Sequence, residues 1–382
     1  MNYEWDVAIN KAILNNSPNV DKILKENPYI KNIAKELRNV KLSVLDNMDM
    51  YIEKTAESVK RTGGHFHYAK DAKEAMDIAR HIIDEKKHIV LSKSNILYEI
   101  KLREILNSEG KDVWETDLGE YLIQIGNDMP SHLVAPAIHL TKEKIGELLN
   151  DNIDRSISPE TSAEDMVKAV RGFLMDKYLN AEVGITGANA IAADTGSVLL
   201  IENEGNIRMD TVLPQMHIAI TGIDKIVPTL KDAFNEVIVQ ASYAGFYPPA
   251  YINVTSGPSA TGDIELQHVS PATGPREFHL ILIDNGRKEA IKSDLKESLL
   301  CIRCGRCYFS CPAYKLYGKE FGDSPYTGPT GIMWEAITSK KYDKSMLCMH
   351  SGGCMEVCPM DINIPRAIEK IKFRYIDGEP GK

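Results

Sequence analysis

Residues 301–312 read CIRCGRCYFSCP and residues 348–359 read CMHSGGCMEVCP. The first is a C-x2-C-x2-C-x3-C-P run. At this spacing three thiolates grip one iron-sulfur cluster, while the fourth, turned away by the proline behind it, reaches a second cluster. Zinc asks for four thiolates and no such proline ending, so the run points to iron and sulfide. All seven cysteines lie between Cys301 and Cys358, and the chain before them has none. An odd-numbered set crowded into one end makes a poor disulfide framework and a natural ligand set.

The second motif departs from the first, because Ser351 stands where its second cysteine belongs. Crossed ligation predicts one 4Fe-4S cluster on Cys301, Cys304, Cys307 and Cys358. Cys311, Cys348 and Cys354 are left for a second cluster, 4Fe-4S or 3Fe-4S, with one corner lacking a thiolate. Three fates for that corner are open: it is empty, it keeps a labile iron bound by Ser351, water or a substrate, or His350 swings in. Two clusters in one small fold imply a path for single electrons, and no residue around them is an organic-reaction catalyst. The intervening stretch, 314–345, is rich in Gly, Pro, Tyr and Trp, and is expected either to pack on the clusters or to form a docking surface.

Ahead of the cysteines the expected order is a helical arm at 1–62, an α/β domain at 63–287 and the ferredoxin-type module at 288–382. The arm carries apolar residues at helical spacing and stops at Gly63 and Gly64. Helices and strands then alternate. AKDAKEAMDIARHIIDEKK predicts an amphipathic helix, HIVLSKS and KDVWETD strands, and NILYEIKLREILNSEG a helix closed by Gly110. MPSHLVAPAIH predicts a short strand, and the stretch from Ser162 a helix with Ser162 as its N-cap. Further strands are expected near Gly184, at Ser197–Ile201, at His217–Thr221 and in EFHLILIDNGR, and a short helix at Lys288–Leu300. Strands joined by helices pack as a parallel sheet covered on both faces.

The net charge of −9 argues against nucleic acid as the main partner. No apolar run approaches the roughly 20 residues needed to cross a bilayer, and the N-terminus lacks a basic, apolar leader, so a cytoplasmic protein is expected.

TGGHFHYAKDAKEA, SKSNILYEIKLREIL, ETDLGEYLIQ, PSHLVAPAIH, GITGANAIAADTGSVLLIENEGNIRMDTVLPQMHIAI, SGPSATGDIE and EFHLILIDNGR, running into CIRCGRC, occur in this order. Over about residues 30–370 the chain resembles the LUD family, specifically the iron-sulfur proteins of bacterial lactate utilization. The resemblance implies a domain similar to the NagB/RpiA/CoA-transferase fold followed by a two-cluster ferredoxin-type domain. It also implies action with a cysteine-rich redox subunit and a second LUD-domain protein in oxidising L-lactate to pyruvate. Family members continue beyond the second motif, carry Cys at the place of Ser351 and lack a counterpart of Cys348.

A ligand loop is open in two places. Lys93 and Ser94 follow a strand, with Glu99 on the next helix, where substrates meet α/β sheets. Gly184, Thr186 and Gly187, followed by Asp194, Thr195 and Gly196, either cradle an anion or form tight turns. His65 and His67 alternate as on a strand face, without a third ligand nearby in sequence, whereas His132, His139, His217 and His279 read as core histidines. No P-loop or G-x-G-x-x-G motif supports ATP, NAD or FAD. The leading reading is an electron-transfer subunit of a 2-hydroxyacid-oxidising complex. The alternatives are an enzyme whose thiolate-poor cluster activates substrate, and a redox-sensing scaffold.

Overall fold

Six strands form one sheet: His65–Ala69 (β1), His88–Leu91 (β2), Asp112–Glu115 (β3), Val183–Thr186 (β4), Met216–Gly222 (β5) and Glu277–Ile283 (β6). In this computed structural model, which describes residues 3–323 and 325–378, they lie in the order β1-β6-β5-β4-β2-β3 with every neighbouring pair parallel. Strands covered on both faces are apolar throughout, and β5 is buried from end to end. Alternation divides the faces. Ile218, Ile220, Ile281 and Ile283 meet the helix Ala72–Ile83, whereas Phe278, Leu280 and Leu282 turn into the opposite core. The chain leaves β2 toward β3 and leaves β4 toward β5, in opposite directions, so a crevice opens between the C-terminal ends of β2 and β4.

A second, four-stranded sheet (Ile226–Val227, Ala190–Ala192, Ser197–Glu202, Tyr251–Thr255) packs against the helix Leu230–Ala244. The N-terminal helices α1 (Tyr3–Glu26), α2 (Tyr29–Asp46) and α3 (Met48–Arg61) lie across this sheet and the cysteine-bearing segment. Ile30, Leu37 and Val44 are buried, and Lys41 reaches Glu236 at 3.0 Å and the Asp224 carbonyl at 2.9 Å. Arg38 donates to the Met360 carbonyl at 3.0 Å, and Asp21 pairs with Arg306 at 3.0 Å. The expected arm is therefore a clamp that shares one core with both halves of the molecule.

Ser162 caps its helix, Ala163–Asn180, by accepting from the Asp165 amide. Three expectations need correction. NILYEIKLREILNSEG breaks at Lys101, whose φ of 54° divides it into Asn95–Glu99 and Leu102–Ser108. MPSHLVAPAIH is an irregular loop, buried over 130–133, with Ser131, His132 and Leu133 against the cysteine segment, so its apolar content serves an interface. The helix expected at Lys288–Leu300 is a short helix, Arg287–Ile291, then a 3-10 turn, Lys296–Leu300; Gly286, at φ 89°, heads the first. The stretch between the motifs is largely interior, since Gly328–Ile337 is buried throughout with Trp334 at its centre. Among the described residues no helix is long and apolar enough to cross a membrane.

Candidate iron-sulfur centres and an adjoining cavity

The two cysteine motifs repeat one backbone path. Each follows a 3-10 turn, Lys296–Leu300 or Asp343–Leu347, and passes a left-handed residue, Arg303 (φ 60°) or His350 (φ 52°). Each then crosses a left-handed glycine, Gly305 (φ 75°) or Gly352 (φ 82°), and enters one helical turn, Arg306–Phe309 or Gly353–Glu356. In this repeat Ser351 holds the backbone place of Cys304. Cys304 is buried and Ser351 is exposed.

One pocket is lined by Cys301, Cys304 and Cys307 from the first motif and Cys358 from the second, closed by Leu133, Ile302, Met360 and Ile362. The remaining sulfurs, Cys311, Cys348 and Cys354, are electrostatic neighbours of one another. Burial pushes the Cys304 and Cys354 thiols up to about 12 and the Cys358 thiol to about 11, with adjacent sulfurs adding to the rise. Backbone N–H groups oppose it: Ala313 and Tyr314 donate to the Cys311 sulfur, and Met360 and Ile362 to that of Cys358. Thiols crowded in an apolar pocket and met by amide donors fit a cationic iron-sulfide core, which turns them into thiolates. Among the described residues no group of three or more His, Cys, Asp or Glu side chains forms a site for a single metal ion.

The α/β domain grips this segment through its 130–140 loop. The Ser131 carbonyl accepts from Tyr314 at 2.7 Å and from Thr327 at 2.9 Å. His132 stacks on Phe309, ring centroids 5.0 Å apart, and its Nε2 lies 3.3 Å from the Gly305 carbonyl. A buried charge network runs beside it. Arg287 pairs with Glu99 at 2.9 Å and Asp224 at 2.6 Å, Arg303 lies 3.1 Å from Asp224, and Lys225 lies 3.7 Å from Glu236. Cations around Asp224, Arg303 foremost, hold its carboxyl far below the usual range despite burial, and burial lowers Lys225 to about 8.

A polar cavity of about 330 Å³ occupies the crevice between β2 and β4. Lys93, Ser94 and Gly187 line it, as do Asp117, Asn189, Lys225 and Arg303. The other residues of the expected ligand loop lie elsewhere. Glu99 is locked to Arg287, and Thr186 bonds His217 at 2.8 Å inside the sheet. Any side chain at Gly184 would collide with the Asp210 carbonyl. Asp194, Thr195 and Gly196 form a turn under α3, where the Asp194 carbonyl accepts from Arg61 at 2.6 Å and Gly196 faces the Val59 amide. His65 and His67 meet a histidine distant in sequence: His279 stacks on His65 at 4.6 Å, and its Nδ1 lies 3.2 Å from Nε2 of His67. Arg303 and Lys225 gave no sequence signal. One lies between two cysteines and the other in an ordinary strand-turn, and only the fold brings them to the cavity.

A parallel α/β sheet with a polar cavity at its switch point, fused through one core to a paired cysteine repeat, defines a two-part iron-sulfur protein. Residues 52–283 match the LUD domain and residues 297–362 the 4Fe-4S dicluster domain, and the chain belongs to the LUD-domain family. Lactate utilization protein B of Bacillus subtilis (strain 168) is 37% identical over 91% of this chain and 72% of its own length. An "uncharacterized electron transport protein" of Escherichia coli (strain K12) is 36% identical over 88% of this chain and 70% of its own. A crystal structure of a DUF162 family protein from Deinococcus radiodurans covers 62% of this chain and 97% of its own at 13% identity, with a TM-score of 0.33, too remote to inform the fold.

Proposed function

We propose that this chain is a cytoplasmic electron-transfer subunit of an assembly that oxidises L-lactate, or a related 2-hydroxyacid, to the 2-oxoacid. A cysteine-rich redox subunit and a second LUD-domain protein are its partners. Cys301, Cys304, Cys307 and Cys358 hold one cluster, and Cys311, Cys348 and Cys354 hold the other, with Ser351 at its fourth corner. The clusters supply one-electron chemistry; the chain supplies the apolar enclosure, the amide donors to sulfur and the docking of this segment on the α/β domain. The observation that carries the reading is the crossed pocket, in which Cys358 of the second motif joins three cysteines of the first. Relatives named for lactate utilization and for electron transport support it.

The test is lactate-dependent dye reduction by the reassembled partners under anaerobic conditions. Cys358→Ala is expected to abolish it and Ser351→Cys to preserve it. Undiminished turnover with Cys358→Ala would overturn the reading. One observation favours a second reading: Ser351 is exposed where Cys304 is buried. If an iron at that corner takes substrate directly as a Lewis acid, Ser351→Cys abolishes turnover instead.

A further inference from the structure

We infer that three histidines at the edge of the six-stranded sheet, His65, His67 and His279, form a binding site for a divalent transition metal of the zinc type. The site lies on the sheet face that meets the helix Ala72–Ile83, turned away from the core that holds the cysteines. It owes nothing to the electron-transfer reading.

Strand register assembles the cluster. β1 and β6 run parallel with His65 opposite His279, so His65, His67 and His279 share one face. Farther along, the same face carries Ala69, Ile281 and Ile283 packed against the helix. Three imidazoles thus interrupt an otherwise apolar surface. His279 is only 7% exposed, His67 is half-buried and His65 is exposed, so the cluster runs from the interior to solvent. His81, in the last turn of that helix, is an electrostatic neighbour of His67, and Lys86 of His279.

Two of the ring nitrogens already stand as a ligand pair. Nε2 of His67 lies 3.2 Å from Nδ1 of His279. In a tetrahedral zinc site, with Zn–N bonds of about 2.0–2.1 Å, neighbouring nitrogens stand about 3.3–3.4 Å apart. The other nitrogen of His279, Nε2, lies 3.2 Å from a Glu277 carboxylate oxygen. That carboxylate holds the ring proton on Nε2 and leaves the Nδ1 lone pair directed at His67, the arrangement that orients metal-bound histidines. Glu277 also offsets the charge of Lys86. Without metal, the His67 Nε2 proton fills the gap between the rings; zinc takes its place, and His67 keeps its single proton on Nδ1.

The third donor is His65. Its ring stacks on that of His279, centroids 4.6 Å apart, so as the side chains lie two nitrogens rather than three stand at ligand spacing. Because the ring is exposed, it turns to a new rotamer without disturbing the core and brings a nitrogen to the pair. Water completes the coordination. Imidazole donors suit zinc, copper and nickel, whereas magnesium and calcium take oxygen ligands.

β1 is an edge strand, joined to the sheet through β6 alone. A metal held by both strands ties that edge down, and the fold gains stability by mass action.

The experiment uses the untagged, cluster-loaded chain, kept without oxygen and cleared of loose metal with a mild chelator. Zinc chloride is titrated by calorimetry with magnesium chloride in parallel, and the zinc-loaded protein is measured by X-ray absorption at the zinc edge. About one zinc per chain is expected to bind saturably, at unchanged iron content and with no binding of magnesium. Its shell should hold nitrogen and oxygen at about 2.0–2.1 Å and no sulfur at about 2.3 Å. His67→Ala and His65→Ala should each weaken binding at least tenfold, and Glu277→Gln about tenfold. His65 is exposed at the start of its strand, so its variant decides the matter even where His67→Ala misfolds. Absence of saturable zinc binding, a sulfur shell, or affinity within twofold of the parent in His65→Ala would overturn the inference. Each of those results leaves the electron-transfer reading untouched, because the cysteine clusters are loaded throughout.

Discussion

His132 and His217 are kept neutral by burial, which lowers each from 6.5 to about 3. Val134 and Ala135 amides donate to Nδ1 of His132, both at 3.1 Å, so the ring proton belongs on Nε2, facing the Gly305 carbonyl. His217, on β5 beside β4, bonds Thr186 at 2.8 Å and sets its ring against Phe278. Because the folded values lie below the unfolded one, the unfolded chain binds protons that the native fold refuses once pH falls below about 6.5. Stability is then lost toward about 3, at roughly 1.4 kcal/mol per pH unit for each histidine. His217→Leu is expected to flatten the decline of melting temperature between pH 7 and pH 5, whatever its effect at pH 7. An unchanged slope would show that His217 is not held neutral.

At the scale of elements, β4 and the helix Asn206–Val212 touch through Gly184, whose missing side chain admits the Asp210 carbonyl. Gly184→Ala should cost about 3 kcal/mol or more, because backbone rather than a flexible side chain must yield; denaturant melts of variant and parent measure it. A loss below about 1 kcal/mol would mean that the contact is slack. The same residue shows where sequence reading stops. Gly184, Asp194 and Gly196 carry the composition of an anion-binding turn, and so does Gly187. Only Gly187 reaches the cavity, since whether a glycine faces a ligand or a helix depends on what the fold lays against it. The strands His88–Leu91, Val183–Thr186, Ser197–Glu202, Met216–Gly222 and Glu277–Ile283 were legible because burial makes them largely apolar, whereas the half-exposed Tyr251–Thr255 was not. The 130–140 loop was misleading for a related reason: its Leu133 and Val134 pack against the cysteine segment rather than along a ladder. The two cysteine motifs were legible because ligand spacing is local. Arg303, Lys225 and His279 were not, because their partners lie far away in sequence.

In the whole molecule, the N-terminal helices, the second sheet and the cysteine segment share one core. Arg38 joins α2 to the segment behind Cys358 through the Met360 carbonyl and to the turn before Cys301 through Glu297. Arg38→Ala should leave the α/β sheet folded and speed the release of iron to a chelator severalfold, followed by the bleaching of cluster absorption. Release at the parent rate would mean that the clamp does not hold the cluster segment. The central claim is that one chain ligates two clusters crosswise, and iron and sulfide analysis of anaerobically purified protein, joined to electron paramagnetic resonance before and after dithionite, tests it most directly. The expected result is about seven irons with an oxidised 3Fe-4S signal if the Ser351 corner is empty, or about eight with two coupled reduced clusters if it keeps its iron. About four irons with a single reduced signal, or zinc in their place, would contradict it.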